Sequence, residues 1–525
     1  MLALLLLACQ AGPPPDVAFV RGGVLVRGAP ADDATSRPLG ADGWRLETRA
    51  WSPGETLTVA GHTFTAPAHP ECLAVLSVPL GDVAAHIGAG GEPPDTDLAF
   101  SPRGDRLAVG TWRGEVLIVD AWTGRIEARR KLGEALVKRV AWSPDGATLF
   151  VVEQSPDAAL RALEAERLHD RWSWRLADRV ETSPPPAAAD LYGAYQLPTA
   201  FDLLVQPDGG VIVNAAHGWP GPDGARRNRS QLLRFSAHGE LVAQWPTEPA
   251  PVILQALRQD GDRLAVTVIH TADAPTTVPH GVVVVLDAQL RPQGKISLSP
   301  QGPLFPKPWV WSAFDLRGDR LLTGFGDGRV QVRSLPPTGV AAPRDLDLPE
   351  LDAPLRVDVG PGVPTQVGGV PIAASVGFGV LGPDFAAAIT SGTTVPFGAA
   401  SPETRPPVPH AGANTLFGWS WPNAAPWQWS GEPQLEGLTL QPDGRALIVG
   451  GGRRQGDDRR DLFGATVLNP AASADEDRRI TTCRTAAPVF FRAAATDDGR
   501  VAVVEHPWLT ATGEVAGAWQ LTLLR

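Results

Sequence analysis

The sequence predicts an all-β fold, and three observations support this prediction. A turn signature that joins Asp and Gly recurs at intervals of about 40 to 60 residues. Each copy continues into a short run of β-prone aliphatic residues, and the 56 Gly and 52 Pro fit frequent turns. The copies are FSPRGDRLAVG (100–110), WSPDGATLFVV (142–152), VQPDGGVIVNA (205–215), LRQDGDRLAVT (257–267), FDLRGDRLLTG (314–324), LQPDGRALIVG (440–450) and ATDDGRVAVVE (495–505). This periodicity is typical of a β-propeller, in which each small sheet buries its faces against its neighbours.

The number of blades follows from the spacing of the turn glycines. The interval between Gly318 and Gly444 is about twice the others, and GFGVLGPDFAAAITSGTTVPF (377–397) has the strand-turn-strand pattern of a missing copy. We therefore predict eight blades, with seven as the alternative.

The last copy ends one strand early, because GAWQLTLLR (517–525) would be its third strand. We predict that LAVLSVPLGDVAAHIG (73–88) supplies the fourth strand and closes the ring, which removes exposed sheet edges. The alternative is that this segment belongs wholly to an N-terminal domain.

Residues 17–82 carry strand-like segments with tighter spacing than the propeller copies, such as AFVRGGVLVRG (18–28) and ETLTVAGHTFTAP (55–67). We predict a small β-sandwich-like domain over 17–82 and the propeller over 83–525. The turn at 52–54 resembles the propeller turns, so a divergent extra blade is the alternative.

The first residues, MLALLLLAC, resemble the lipobox of bacterial lipoproteins. This resemblance implies a signal peptide over 1–8, lipidation of Cys9 and a Pro-rich tether over 9–16. Gln10 stands where an aspartate would favour the inner membrane, so the outer membrane is expected. A transmembrane anchor is excluded for this run, because seven apolar residues are far fewer than the ~20 that a spanning helix needs. The alternative is a chance Cys after an apolar stub.

The repeated copies, among them VLIVDAWTGRIEARR (116–130), resemble the WD-repeat and quinoprotein-like propeller superfamily. Val119-Asp120 and Leu286-Asp287 stand where a WD repeat has Trp-Asp. The resemblance implies a propeller whose face around the central channel binds a partner.

Three long segments occupy the place between the second and third strands of their copies, so we expect them on one face, where loops on a rigid scaffold carry recognition. They are HGWPGPDGARRNR (217–229), TADAPTTVPH (271–280) and RRQGDDRRD (453–461). We predict a binding rim for a protein or an anionic ligand. Its candidate residues are His217, Trp219, Arg226, Arg227, Arg229, Arg453, Arg454, Arg459 and Arg460. In the alternative, these charges only solvate loops and pair with Asp457, Asp458 and Asp461.

The other chemical signals are few. Cys72 and Cys483 form either a disulfide or two buried thiols. No catalytic residues, metal ligands or cofactor are predicted, because the known nucleophile, haem, zinc and phosphate-loop motifs do not occur. The net charge of −11 argues against nucleic-acid binding, which needs a basic face.

These observations favour a non-catalytic, monomeric binding or scaffold propeller, held to a membrane of the bacterial cell envelope by lipid only. The alternative is a periplasmic propeller enzyme, such as a quinone-dependent dehydrogenase or a lactonase.

Overall fold

The computed structural model describes the following parts of the chain: residues 14–20, 23–28, 36–39, 43–49, 51–68, 71–81, 97–154, 158–180, 198–220, 226–270, 280–298, 313–324, 330–337, 348–353, 355–359, 365–367, 370–372, 376–390, 393–394, 408–409, 415–421, 425–430, 434–452, 463–473, 475–487, 489–505, 508–509, 515–517 and 519–524. Nearly all the regular structure in them is β-strand, as predicted. Two one-turn helices are the exceptions.

The N-terminal part is a small two-layer β unit. Its strands are β1 (Asp16–Val20), β2 (Gly23–Arg27), β3 (Ser36–Leu39), β4 (Trp44–Glu47), β5 (Thr56–Val59) and β6 (His62–Thr65). The first four form an antiparallel sheet in the order β1-β2-β4-β3, and β5 and β6 form a hairpin. Neighbouring residues of β2 lie on opposite faces of the sheet. Val24 packs with Leu57 of the hairpin, and Leu25 packs with residues of the propeller core.

The next strand, β7 (Glu71–Gly81), leads into the propeller. The first four blades are consecutive antiparallel sheets. Their strands are β8 (Asp97–Phe100), β9 (Arg106–Gly110), β10 (Glu115–Asp120) and β11 (Ile126–Lys131); β12 (Val137–Trp142), β13 (Thr148–Glu153), β14 (Ala159–Glu164) and β15 (Asp170–Arg175), followed by helix α1 (Ala177–Val180); β16 (Thr199–Val205), β17 (Val211–Pro220), β18 (Arg226–Phe235) and β19 (Leu241–Ala250); and β20 (Val252–Asp260), β21 (Arg263–His270), β22 (His280–Asp287) and β23 (Pro292–Leu298).

The remaining blades follow the same plan. The fifth blade contains β24 (Phe314–Arg317), β25 (Arg320–Gly324), β26 (Val330–Ser334) and β27 (Leu355–Val359), and the short pair β28 (Thr365–Val367) and β29 (Val370–Ile372) follows it. The sixth blade contains β30 (Val376–Leu381) and β31 (Phe385–Thr390), then the short pair β32 (Thr393–Thr394) and β33 (Val408–Pro409), then β34 (Thr415–Ser420) and β35 (Ala425–Ser430) of the blade. The seventh contains β36 (Gln434–Leu440), β37 (Leu447–Gly452), β38 (Gly464–Leu468), helix α2 (Asp475–Arg478) and β39 (Arg479–Arg484), and the eighth contains β40 (Val489–Ala495), β41 (Val501–Glu505), the short pair β42 (Trp508–Leu509) and β43 (Val515–Ala516), and β44 (Trp519–Leu524). The segment 377–397 does supply a blade, through β30 and β31.

The first strands of the blades form a closed ring. Each contacts the first strand of the next blade, in the cycle β8, β12, β16, β20, β24, β30, β36, β40 and back to β8. Buried aliphatic and aromatic side chains fill the spaces between neighbouring blades. This cycle is the arrangement of a β-propeller and fits eight blades.

The ring closes through β7. This strand pairs antiparallel with β44, from Trp519 opposite Gly81 to Leu524 opposite Ala74, so the last sheet has the order β7-β44-β41-β40. The predicted pairing of this segment with the C-terminal strand is therefore present over residues 74–81. Residues 71–81 fall on the small-domain side of the predicted boundary at 82/83, yet they form a strand of the propeller.

The first part of β7 also pairs with the preceding blade. It runs parallel to β39, with Cys72 opposite Cys483. The two Cα atoms are 4.3 Å apart, and the structure joins the two sulfur atoms in a disulfide. Each residue is only 2% exposed. The N-terminal strand thus connects the outer edge of the seventh blade with the eighth.

Bulges in the first strands are stabilised by polar side chains from the second strands. Phe201 and Asp202 bulge out of register in β16. Both of their backbone N–H groups donate to Oδ1 of Asn214, at 2.7 and 2.8 Å. The Asn214 Nδ2 donates in turn to the carbonyls of Leu254 and Gln255 in β20, at 2.9 Å each. One fully buried side chain therefore joins the third and fourth blades.

The turn signature of the sequence is visible between β12 and β13. Gly146 has a φ of 70°, and its N–H donates to the Ser143 carbonyl. The Ser143 hydroxyl donates to the Asp145 carboxylate at 2.5 Å, and the Ala147 N–H donates to the same oxygen at 3.0 Å. The hydrogen bond from Ser143, followed by the one from Ala147, holds the pKa of Asp145 below its ordinary value of 3.8.

Replacing this carboxylate, as Asp145→Asn, is expected to change how stability depends on pH. A lowered folded-state pKa adds stability that is fully present above about pH 3.8 and is lost as the pH falls through the lowered value. The stability difference between wild type and variant should therefore shrink between neutral pH and about pH 3, as measured by urea unfolding. The control is Glu134→Gln, whose side chain is 93% exposed. A difference that grows on acidification would contradict the assignment.

Candidate functional site

A projecting hairpin in the third blade carries the predicted rim. The last pair that β17 makes with β16 is Ala216 with Thr199. Beyond it, β17 and β18 continue for four more pairs, from His217 with Arg229 to Pro220 with Arg226. The hairpin rises at the end of the blade where the second and third strands are joined, as the sequence predicted for the long-loop face.

Strand alternation places four of the predicted residues on one face of this hairpin. His217 lies opposite Arg229, and Trp219 lies opposite Arg227. Since side chains two residues apart in a strand share a face, all four lie together. The rings of His217 and Trp219 are 5.1 Å apart between centroids. His217 is buried, Trp219 and Arg227 are half-buried and Arg229 is exposed.

The other predicted rim residues cannot be added to this face. Arg226 begins β18, but its side chain lies outside the described part of the structure, and so do residues 453–460 with Arg453, Arg454, Arg459 and Arg460. Cys9 also lies outside the described residues. It remains a prediction that the arginines of residues 453–460 lie on the same rim as those of residues 226–229.

A further arginine, absent from the sequence prediction, extends the same face. Gln231 follows Arg229 by two residues and is fully buried. Its Oε1 accepts hydrogen bonds from Arg179 of α1, at 3.3 and 3.4 Å, and Arg179 also donates to Oε1 of Gln244 at 2.7 Å. We call Arg179, Arg229, Arg227 and Trp219 the basic strip. Sequence periodicity gives no sign of Arg179, because α1 lies outside the repeated strands.

Charged side chains also link the first strands around the ring. Asp202 in β16 accepts from Arg139 of the second blade, at 3.4 Å, and from Arg258 of the fourth blade, at 3.1 Å. It also accepts the Leu257 N–H at 2.9 Å. Asp97 and Asp315 use the same kind of contact, accepting the N–H groups of Val140 and Leu381 in the next blades. These carboxylates hold neighbouring blades in register.

The sequence prediction missed these charged residues of the first strands, although the sequence contains a signal for them. Asp97, Arg139 and Asp202 stand at the same distance before the turn glycines of their copies. That spacing could have placed them at one level of the ring.

The described part of the chain contains no cluster of three or more His, Cys, Asp or Glu arranged to hold a metal ion. Within those same residues, neither helix has the length and apolar character needed to cross a membrane.

Fold and site together define a β-propeller with a basic strip formed by a projecting hairpin and helix α1. Among solved structures, the chain is similar to the C-terminal WD40 domain of Sif2, with 10% identity, a TM-score of 0.46 and coverage of 86% of this chain and 98% of that one. It is also similar to BamB from Moraxella catarrhalis (12% identity, TM-score 0.43, 86% and 98% covered) and to the computationally designed Ika8 protein (12%, 0.46, 83% and 97%). No protein-family model and no curated protein matches the sequence.

Proposed function

We propose that the protein is a non-catalytic, lipid-anchored β-propeller that acts as a binding or scaffold module in the bacterial cell envelope. The observation that carries the binding function is the projecting hairpin, which presents Trp219, Arg227 and Arg229 on one face beyond the end of β16. Aromatic and arginine side chains are the residue types enriched where proteins bind partners. The rigid ring behind the hairpin fixes its position.

The location is proposed from the sequence MLALLLLAC, in which Cys9 is the expected site of lipidation. Each buried methylene of an acyl chain adds ~0.8 kcal/mol of membrane affinity, so several chains give stable attachment where one is marginal. The prolines that follow, at positions 13–15, favour an extended tether. We place the protein at the outer membrane because Gln10, and not aspartate, follows Cys9.

The Cys9→Ser variant is expected to lose its acyl groups and to leave the membrane fraction. Wild-type protein should give an N-terminal peptide that begins at Cys9 and carries a diacylglyceryl group and an amide-linked chain, measured by mass spectrometry. The matched control is Gln10→Asp, which should remain lipidated but move toward the inner-membrane fraction. Unmodified Cys9 in protein extracted from membranes would refute the anchor.

Binding is tested by cross-linking the full chain in its native envelope and identifying the captured protein. A partner that cross-links to residues 217–229 supports the proposal. The non-catalytic part is checked by metal analysis and the absorption spectrum of the purified protein. A stoichiometric metal or quinone would instead favour the propeller enzyme.

A further inference from the structure

We infer that the basic strip binds an extended acidic segment of a partner protein, whose carboxylates lie at alternate residues. This inference rests on the proposed binding function and adds the chemistry of the ligand. It depends on three properties of the strip: its charge, the spacing of its arginines and the aromatic ring at its outer end.

The charge of the strip is positive where the chain as a whole carries −11. Among the described residues, the hydrogen-bond acceptors of Arg179 are the neutral amide oxygens of Gln231 and Gln244. Arg229 is exposed. A guanidinium binds a carboxylate through two parallel N–H bonds, so the strip favours carboxylate ligands.

The spacing of the arginines matches an extended chain. Arg227 and Arg229 are two residues apart in β18, and Arg179 is held at Gln231, two residues further along the same face. The Cα atoms of Arg227 and Arg229 are therefore about 6.6 to 6.8 Å apart, which is the distance between residues i and i+2 of a β-strand. A ligand in the same extended conformation matches this step when its carboxylates occupy alternate residues.

The ring of Trp219 completes the strip. It is half-buried and packs against the ring of His217 on the face that carries the arginines. An aromatic surface beside a cation suits the methylene groups of a glutamate, whose carboxylate then reaches the neighbouring guanidinium. A large polyanion such as nucleic acid fits less well, because the acidic remainder of the protein repels it.

The test compares three labelled peptides by fluorescence anisotropy with the full-length protein. One carries four glutamates at alternate positions, the second has the same composition with the glutamates three residues apart, and the third has glutamine in their place. In about 0.15 M salt, where charges are screened beyond about 8 Å, the alternating peptide should bind about tenfold more tightly than the peptide with three-residue spacing. The glutamine peptide should not bind measurably.

The double variant Arg227→Gln/Arg229→Gln should weaken binding of the alternating peptide by about tenfold or more. The matched control is Arg103→Gln/Arg125→Gln, which removes two arginines of the first blade that are 79% and 71% exposed and should leave binding unchanged. Circular dichroism checks that both variants are folded.

Equal affinity for the alternating peptide and the peptide with three-residue spacing would overturn the extended geometry. Stronger binding to vesicles of anionic phospholipid than to any peptide would overturn the choice of a protein ligand. No binding of either acidic peptide would also refute the inference. The proposed function is refuted separately, if Cys9 is not acylated or if no envelope protein cross-links to the chain. A partner captured equally by wild type and by the Arg227/Arg229 variant would retain that function and refute the role of the strip.

Discussion

Replacing Asn214 by leucine is expected to lower the free energy of unfolding by about 3 kcal/mol or more. The leucine fills a similar volume but cannot pair with the Phe201 and Asp202 N–H groups or with the Leu254 and Gln255 carbonyls. Leaving a buried polar group unpaired costs about 1–3 kcal/mol, and here four lose their partner. Urea unfolding followed by tryptophan fluorescence measures the change.

Two further variants test whether the hydrogen bonds cause this loss. Asn214→Asp keeps the acceptor for the two N–H groups but directs a carboxylate oxygen at two carbonyls, so it should also be destabilising at neutral pH. Thr267→Val removes a single acceptor, for the Ala256 N–H at 2.9 Å, and should cost only about 1 kcal/mol. Gln289→Leu, at an exposed turn position, is the control. Stability of Asn214→Leu within about 0.5 kcal/mol of wild type would contradict the proposed role.

Removing the Cys72–Cys483 bridge is expected to lower stability by about 2–5 kcal/mol. The two residues are 411 positions apart, so the bond constrains a very long loop in the unfolded chain. It also holds β7 beside β39, where that strand begins to close the ring. The double variant Cys72→Ala/Cys483→Ala, which leaves no orphan thiol, should unfold at a lower denaturant concentration than the wild type.

Reduction provides the matched comparison. A reducing agent should lower the stability of the wild type and leave the double variant unchanged. The chain has three cysteines, so the bond itself is best examined in a Cys9→Ser background, where only Cys72 and Cys483 remain. Two free thiols in denatured, unreduced protein would show that the bridge does not form.

Much of the fold was predictable because its signals are local. The turn residues around Gly104 and Gly146 and the aliphatic runs after them mark the first two strands of each blade. The number of copies then predicted a ring of blades. Because the last copy is incomplete, an earlier strand was expected to complete its sheet. The boundary at 82/83 could not show that residues 71–81 belong to the propeller as well, because strand composition does not reveal the register of distant pairing.

The candidate site was predictable only in part. The long segment at 217–229 identified the hairpin, but its facing residues follow from the register of His217 with Arg229. The contribution of Arg179 depends on the packing of α1 against Gln231, which no periodic pattern encodes. The contact between Asp202 and Arg258 likewise joins separate copies of the repeat. Sequence repetition places such residues at similar levels, but only the assembled ring brings their charges together.

The position of β7 has a consequence for the order in which the molecule can be completed. Ser77 and Thr522 meet across the last sheet although 445 residues separate them. Because a ribosome delivers the chain from its amino end, β7 must wait for β44, and such distant pairing folds slowly. A polypeptide cut short before Trp519 would leave β41 and β7 each with a bare edge open to pairing with other molecules. The ring can therefore close only after β44 has been synthesised.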